Sequence, residues 1–133
     1  MFKRMFLGVA LLLGLISLIN GTLMIYGPET WYWMVPGVPD RGPFNQHFVR
    51  DIGITYVIIG SSYLFGVLYG RNRTILWLFP TIWLLGHAVF HMWEVYVGIC
   101  SPDSLKEDFW GVTFPAFLGC LLTYLSMKEV TIE

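Results

Sequence analysis

Two apolar runs separated by a short basic turn fill residues 54–90, which read ITYVIIGSSYLFGVLYGRNRTILWLFPTIWLLGHAVF. Each run approaches the roughly 20 apolar residues that are needed to cross the hydrocarbon core of a membrane. The turn GRNRT, residues 70–74, is tight and carries Arg71 and Arg73. This stretch therefore predicts two antiparallel membrane-spanning helices joined as a hairpin.

The whole chain has the same apolar character. Of its 133 residues, 56% are hydrophobic and only 13% are charged, whereas globular proteins have roughly 25% charged residues. A formal net charge of -1 gives no basic surface for nucleic acid, so that class of protein is set aside. We predict an all-α fold, a transmembrane four-helix bundle that forms one domain over residues 1–133, with spans at about residues 5–26, 44–69, 75–98 and 109–127.

The basic residues predict which way the spans face. One side of the predicted membrane carries Lys3, Arg4, Arg71, Arg73 and Lys128. The other side carries Arg41 and Lys106 among five acidic residues, Glu29, Asp40, Asp103, Glu107 and Asp108. Because loops rich in Lys and Arg stay in the cytoplasm, we expect both termini to be cytoplasmic.

The loop between the first two spans is rich in proline, with Pro28, Pro36, Pro39 and Pro43. Proline fixes φ and removes a backbone donor. We therefore expect an ordered, non-helical segment that lies along the outer membrane surface. Asn45 follows this loop and is a suitable N-cap residue for the second span.

Polar residues recur on one face of each helix in the central hairpin. The second span carries His47, Arg50 and Asp51 at i, i+3 and i+4, and the third carries His87, His91 and Glu94 at i, i+4 and i+7. At ~1.5 Å per residue, Asp51 and His91 both lie roughly 10 Å below the outer surface. A lipid-facing ionisable group costs ~2.5–3.5 kcal/mol on insertion scales. We therefore expect these residues to converge inside the outer half of the bundle.

A metal centre is the sharpest interpretation of this polar set. His87 and His91 are spaced so that two imidazoles on one helix can hold one ion. The predicted ligand set is completed by His47, Asp51 and Glu94. Because imidazole and carboxylate ligands together suit zinc, iron or manganese, we favour a non-haem metal.

Three further residues, Arg50, Asn20 and Asn45, are predicted to bind the cofactor around that centre. The guanidinium of Arg50 would hold a carboxylate or a bound anion with its fork of donors. Haem b is the less favoured cofactor. His47 with a histidine of the third span would supply its axial ligands, but carboxylates this close to a haem are unusual.

Two other interpretations stay open, and the sequence does not decide whether the chain is an enzyme. Ion pairs from Arg50 to Asp51 or Glu94 would make a structural network that only locks the helices. The same groups would otherwise line a pocket for a quinone, a lipid head group or another small molecule, with a histidine that exchanges protons. The expected partners are membrane lipid and either a membrane oxidoreductase or a second copy of this chain.

The segment VPGVPDRGPFNQHFVRDIGITY, residues 35–56, resembles a recurrent pattern in small four-span bacterial membrane proteins of uncharacterised function. In those proteins a V-P-G-V segment leads into G-P-F-N-x-H-F-V-R-D-I-G, and a later span bears a histidine pair like His87 and His91. The resemblance covers most of the chain and implies an all-helical bundle in the bacterial inner membrane. The shape is also loosely similar to the DoxX-like group. The resemblance implies no activity and gives the polar residues of the motif no role.

Overall fold

The computed structural model describes the backbone of residues 2–130 and the side chains of residues 3–128. Within that range the chain forms six α-helices and no strand: α1 (Phe2–Tyr26), α2 (Pro28–Met34), α3 (Gln46–Leu68), α4 (Arg73–Tyr96), α5 (Ser104–Asp108) and α6 (Phe114–Val130). Four helical stretches are long and apolar enough to cross a membrane. The predicted all-α four-helix bundle is confirmed.

The first outer loop differs from its prediction. Pro28–Met34 forms α2, and Val38–Arg41 forms a 3-10 turn, so the prediction of a non-helical loop was wrong. Pro28 begins α2, where its missing N–H would have no helical partner in any case and its fixed φ suits a helix. The prediction counted the prolines but ignored their position relative to a helix start.

Two other local predictions agree with the structure. The side chain of Asn45 accepts a hydrogen bond from the backbone N–H of Phe48 at 3.1 Å, which makes Asn45 the N-cap of α3. Residues 70–74 reverse the chain between α3 and α4, with a 3-10 turn at Gly70–Asn72. The hairpin predicted from the basic turn is therefore present.

The fourth span begins irregularly. α5 ends at Asp108, and a π-helical turn, Phe109–Thr113, connects it to α6. Pro115 follows this turn and has no N–H for the carbonyl of Gly111 four residues earlier. The wider π turn lies at this break in the hydrogen-bond ladder, and it follows directly on Asp108.

Glycines set the close approach of α1 to α3. A Cβ atom on Gly21 would lie 2.5 Å from the carbonyl oxygen of Gly53, and one on Gly60 would lie 2.7 Å from that of Gly14. Small residues at such contacts let two backbones come close, which is how helices associate strongly in lipid. The contact fixes the rotation of α3 about its own axis, and with it the direction in which the polar residues of α3 face.

A chain of hydroxyl groups joins α3, α4 and α6 in the interior. The oxygens of Tyr63 and Thr81 are 2.8 Å apart, and those of Thr81 and Thr123 are 2.9 Å apart. The indole of Trp77 donates to the carbonyl of Tyr63 at 3.1 Å. All four side chains are buried, so each polar group finds its partner inside the bundle, as a low-dielectric interior requires.

Candidate functional site

The two histidines of α4 are direct neighbours near its loop-side end. The ring centroids of His87 and His91 are 4.5 Å apart, with an interplanar angle of 78°. On the other side, His87 stacks on Trp83 at 4.9 Å, and Trp83 meets Tyr56 of α3 edge to face. A column of rings therefore runs along α4 and ends at His91.

At His91 this column meets charged groups from the Val38–Arg41 turn and from α5. Nη1 of Arg41 donates to both carboxylate oxygens of Asp108 at 2.8 Å and lies 3.0 Å from Nδ1 of His91. Asp108 Oδ2 is itself 2.8 Å from His91 Nδ1, and Nη2 of Arg41 lies 3.5 Å from a carboxylate oxygen of Glu107. We call Arg41, His91, Glu107 and Asp108 the loop-side cluster.

Most of this cluster is withdrawn from solvent. The side chains of Arg41, His91 and Asp108 are 19%, 15% and 11% exposed. Burial on its own lowers the pKa of Arg41, but the hydrogen bond and negative charge of Asp108 raise it, and the resulting pKa is above its ordinary value. Asp108 therefore has a permanent positive partner.

The loop is held so that Arg41 reaches the cluster. The hydroxyl of Tyr32 donates to the carbonyl oxygen of Gly42 at 2.6 Å, and its ring packs against Phe44 with centroids 5.4 Å apart. Tyr32 is buried. This anchor on α2 fixes the residue that directly follows Arg41, so the guanidinium is held close to α4.

The contact between His91 and Asp108 also concerns which nitrogen of the His91 imidazole carries the proton. A carboxylate accepts hydrogen bonds, so the tautomer that carries its proton on Nδ1 satisfies this contact. Nε2 of His91 then keeps its lone pair. Histidines that bind metals or exchange protons are oriented in this manner, by a carboxylate on the other ring nitrogen.

The residues that we predicted to face this site from α3 do not do so. His47 and Asp51 pair with each other, Nε2 to Oδ2 at 3.2 Å, with side chains 89% and 56% exposed. Arg50 is also exposed and donates from Nε to the carbonyl oxygen of Ile25 at 3.0 Å, near the end of α1. The buried face of α3 at this level is instead occupied by Gly53 against α1.

The other three predicted site residues, Asn20, Asn45 and Glu94, make contacts with residues near them in the chain. Asn20 accepts a hydrogen bond from the indole of Trp31 at 2.8 Å, so it ties α2 to α1. Asn45 caps α3. Glu94 is half-buried on the last turn of α4, and its backbone carbonyl accepts from the N–H of Ile99 at 2.9 Å.

The five predicted metal ligands therefore do not form one group. His87 contacts His91, and His47 pairs with Asp51. Among the described side chains there is no group of three or more His, Cys, Asp or Glu residues that could hold a metal ion. Matching the depths of residues on two helices is insufficient to predict that their side chains meet, because depth does not give the rotation of each helix about its axis.

Three residues of the loop-side cluster, Arg41, Glu107 and Asp108, were not among the predicted site residues. A signal for them was present in the sequence. Arg41 is the only basic residue between the first two spans, and five acidic residues share its side of the membrane. An isolated arginine among acids at the mouth of a bundle favours an ion pair, although the sequence does not indicate which acid it contacts.

No protein-family model, curated protein or solved structure matches this chain. Its function is therefore inferred from the geometry of the residues described above.

Proposed function

We propose that this chain is a non-catalytic accessory protein of the membrane that associates with another membrane protein through the exposed polar face of α3. The observation that carries this proposal is the contact between His47 and Asp51, which lies on the surface of the bundle with side chains 89% and 56% exposed. An ionisable side chain that faces lipid costs ~2.5–3.5 kcal/mol at the membrane centre and less towards the surface. A partner with polar groups at the same level would remove that cost.

The position of this pair on α3 supports a helical partner. His47 is the second residue of α3 and Asp51 is the sixth, so Asp51 lies roughly 6 Å further along the axis. Beyond it, the side chains of Ile54 and Ile58 are also exposed. Polar groups near the helix end and apolar groups below them suit a second transmembrane helix that carries polar residues near the same surface.

The loop-side cluster fits a structural role within this proposal. Arg41 joins the Val38–Arg41 turn to His91 of α4 and to Asp108 of α5. These contacts hold the outer loop beside the start of α3, where His47 lies. The resemblance of residues 35–56 to small bacterial membrane proteins supports the bacterial inner membrane as the location.

Site-specific photocrosslinking in membranes from the native host tests this proposal. A photoreactive amino acid would replace His47 or Asp51, and in a matched control it would replace Leu23, an exposed apolar residue near the loop-side end of α1. We expect protein adducts from positions 47 and 51 and none from position 23. Adducts with lipid alone at all three positions would contradict the association.

A second candidate function, binding of a metal or redox cofactor, is favoured by one observation. Nδ1 of His91 lies 2.8 Å from Asp108, and the tautomer that donates to Asp108 leaves Nε2 as a ligand beside the ring of His87. Two imidazoles supply only half of a tetrahedral set, so water or a partner residue would complete it. A zinc, iron or manganese ion would fit these donors.

Metal analysis separates the two candidates. The protein would be purified without chelator, incubated with zinc, iron or manganese, and desalted. Cofactor binding predicts near-stoichiometric metal that is lost in His87→Ala and kept in the control His47→Ala. The accessory function predicts no retained metal in any of the three proteins, and a Soret band in the visible spectrum would contradict it in favour of haem.

A further inference from the structure

A groove of about 360 Å³ lies at the opposite end of the bundle from the loop-side cluster, where α4 begins and α6 ends. Its lining consists of Arg71, Asn72, Thr74, Ile75, Leu78 and Met127. The polar lining residues precede α4 or lie in its first turn, and the apolar residue Leu78 lies about one turn further into the bundle. The groove is therefore amphipathic in the direction of the membrane normal.

The polar end of the groove favours an anion. Arg71 is exposed, and its guanidinium has no hydrogen bond or ion pair with any residue that the structure describes. The first turn of α4 contains no acidic residue, and Asn72 makes no side-chain capping bond there. Backbone N–H groups at a helix start carry partial positive charge, so this charge adds to that of Arg71.

Thr74 contributes a further polar group at the same place. The hydroxyl oxygen of Thr74 is buried and lacks a hydrogen-bond partner in the described part of the chain. Buried polar groups are rarely left in this state. Thr74 also lines the groove, so its hydroxyl adds a polar group to the end that carries Arg71.

The apolar end of the groove distinguishes a lipid from a small anion. Ile75 and Leu78 of α4 and Met127 of α6 continue the groove into the bundle side that faces hydrocarbon. A free phosphate ion would use only the end near Arg71, whereas a phospholipid would use both ends. We propose that this groove binds an anionic phospholipid, with its phosphate at Arg71 and the start of α4 and an acyl chain along Leu78.

This lipid site is separate from the proposed association face, which lies on α3 at the other end of the bundle. Either proposal can therefore fail while the other stands. The surface basic residues near this end of the bundle, such as Arg4, would attract anionic lipid without holding one molecule in place. The test must separate those two effects.

Native mass spectrometry of the full chain in mild detergent is the test. Phosphatidylglycerol or phosphatidylcholine with identical acyl chains would be titrated into the wild type, Arg71→Gln and the control Arg4→Gln. Arg4 is exposed at the same end of the bundle and does not line the groove. Far-UV circular dichroism would verify that each variant keeps its helices.

We expect the wild type and Arg4→Gln to retain one phosphatidylglycerol in preference to phosphatidylcholine. Arg71→Gln should weaken that binding by about fivefold, the value for one basic side chain near anionic lipid. Equal losses in the two variants, or equal binding of the two lipids, would overturn the proposal. Displacement of phosphatidylglycerol by millimolar inorganic phosphate would assign the groove to a free anion instead.

Discussion

The guanidinium of Arg41 connects three parts of the molecule that are distant in sequence. It contacts Asp108, Glu107 and His91, and the side chains of Arg41 and Asp108 are buried enough for their charges to be poorly screened. A buried charge that loses its partner is strongly destabilising, because the remaining charge is left without compensation. The stability of the outer loop should therefore depend on this one side chain.

We expect Arg41→Gln to lower the free energy of unfolding by ~2–3 kcal/mol. This value is below the 3–5 kcal/mol that is typical of fully buried pairs, because the cluster keeps some solvent contact. Lys106→Gln is the control, since Lys106 pairs with Asp103 on the surface, with both side chains more than three-quarters exposed, and such pairs contribute little. Denaturant unfolding in detergent would measure both variants, and equal losses would contradict the importance assigned to Arg41.

Among single residues, His91 is buried as the sequence predicted, but not every side chain predicted to lie beside it is. His91 is in the interior as expected, whereas His47 and Asp51 lie outside. The spacing i, i+4 places two residues on one face of a helix without saying what that face meets. The neighbour of α3 at this level is α1, which approaches closely at Gly21 and Gly53.

Among the helices, α4 contains a proline whose effect is offset by a neighbouring helix. Pro80 lacks the N–H that would bond the carbonyl of Leu76 four residues earlier. The hydroxyl of Ser62 on α3 donates to that carbonyl at 2.6 Å. Freed carbonyls in membrane helices are commonly satisfied by Ser or Thr from a neighbour, so Ser62 links the two helices at the proline.

A double-mutant cycle tests this link. Ser62→Ala should cost ~0.6–2 kcal/mol, the range for interhelical hydrogen bonds in membranes. In a Pro80→Ala background the helix can bond Leu76 by itself, so Ser62→Ala should cost much less there. Ser61→Ala serves as the control on the adjacent position. An unchanged cost of Ser62→Ala in the two backgrounds would refute the link.

The glycine contact between α1 and α3 makes a second prediction for the helices. Gly60→Ala would place a Cβ atom 2.7 Å from the carbonyl oxygen of Gly14 and from the backbone N of Leu18, and overpacking of this kind costs ~1–3 kcal/mol. Gly8→Ala meets nothing within 4 Å and should be neutral or stabilising by up to ~1 kcal/mol. Thermal unfolding in detergent would measure both, and equal effects would contradict the close packing.

For the whole molecule, length and hydropathy were sufficient to predict four long apolar helices and the hairpin between α3 and α4. The site was not predictable to the same degree, because it depends on which helices pack together. α1 packs on α3 and α4 packs on α6, while α3 and α4 join the two pairs. That order turns His91 towards α5 and leaves Asp51 on the surface, and no local sequence pattern specifies it.

The polar residues near the loop-side end of the bundle divide into a buried cluster around His91 and the exposed residues His47 and Asp51. The most direct test is the accessibility of spin labels to oxygen and to a polar relaxation agent, in purified protein in lipid nanodiscs. Labels would be placed at positions 47, 51 and 91 after replacement of Cys100 and Cys120. We predict accessible labels at 47 and 51 and a protected label at 91. Protection at all three positions would contradict the account and would favour one convergent site inside the bundle.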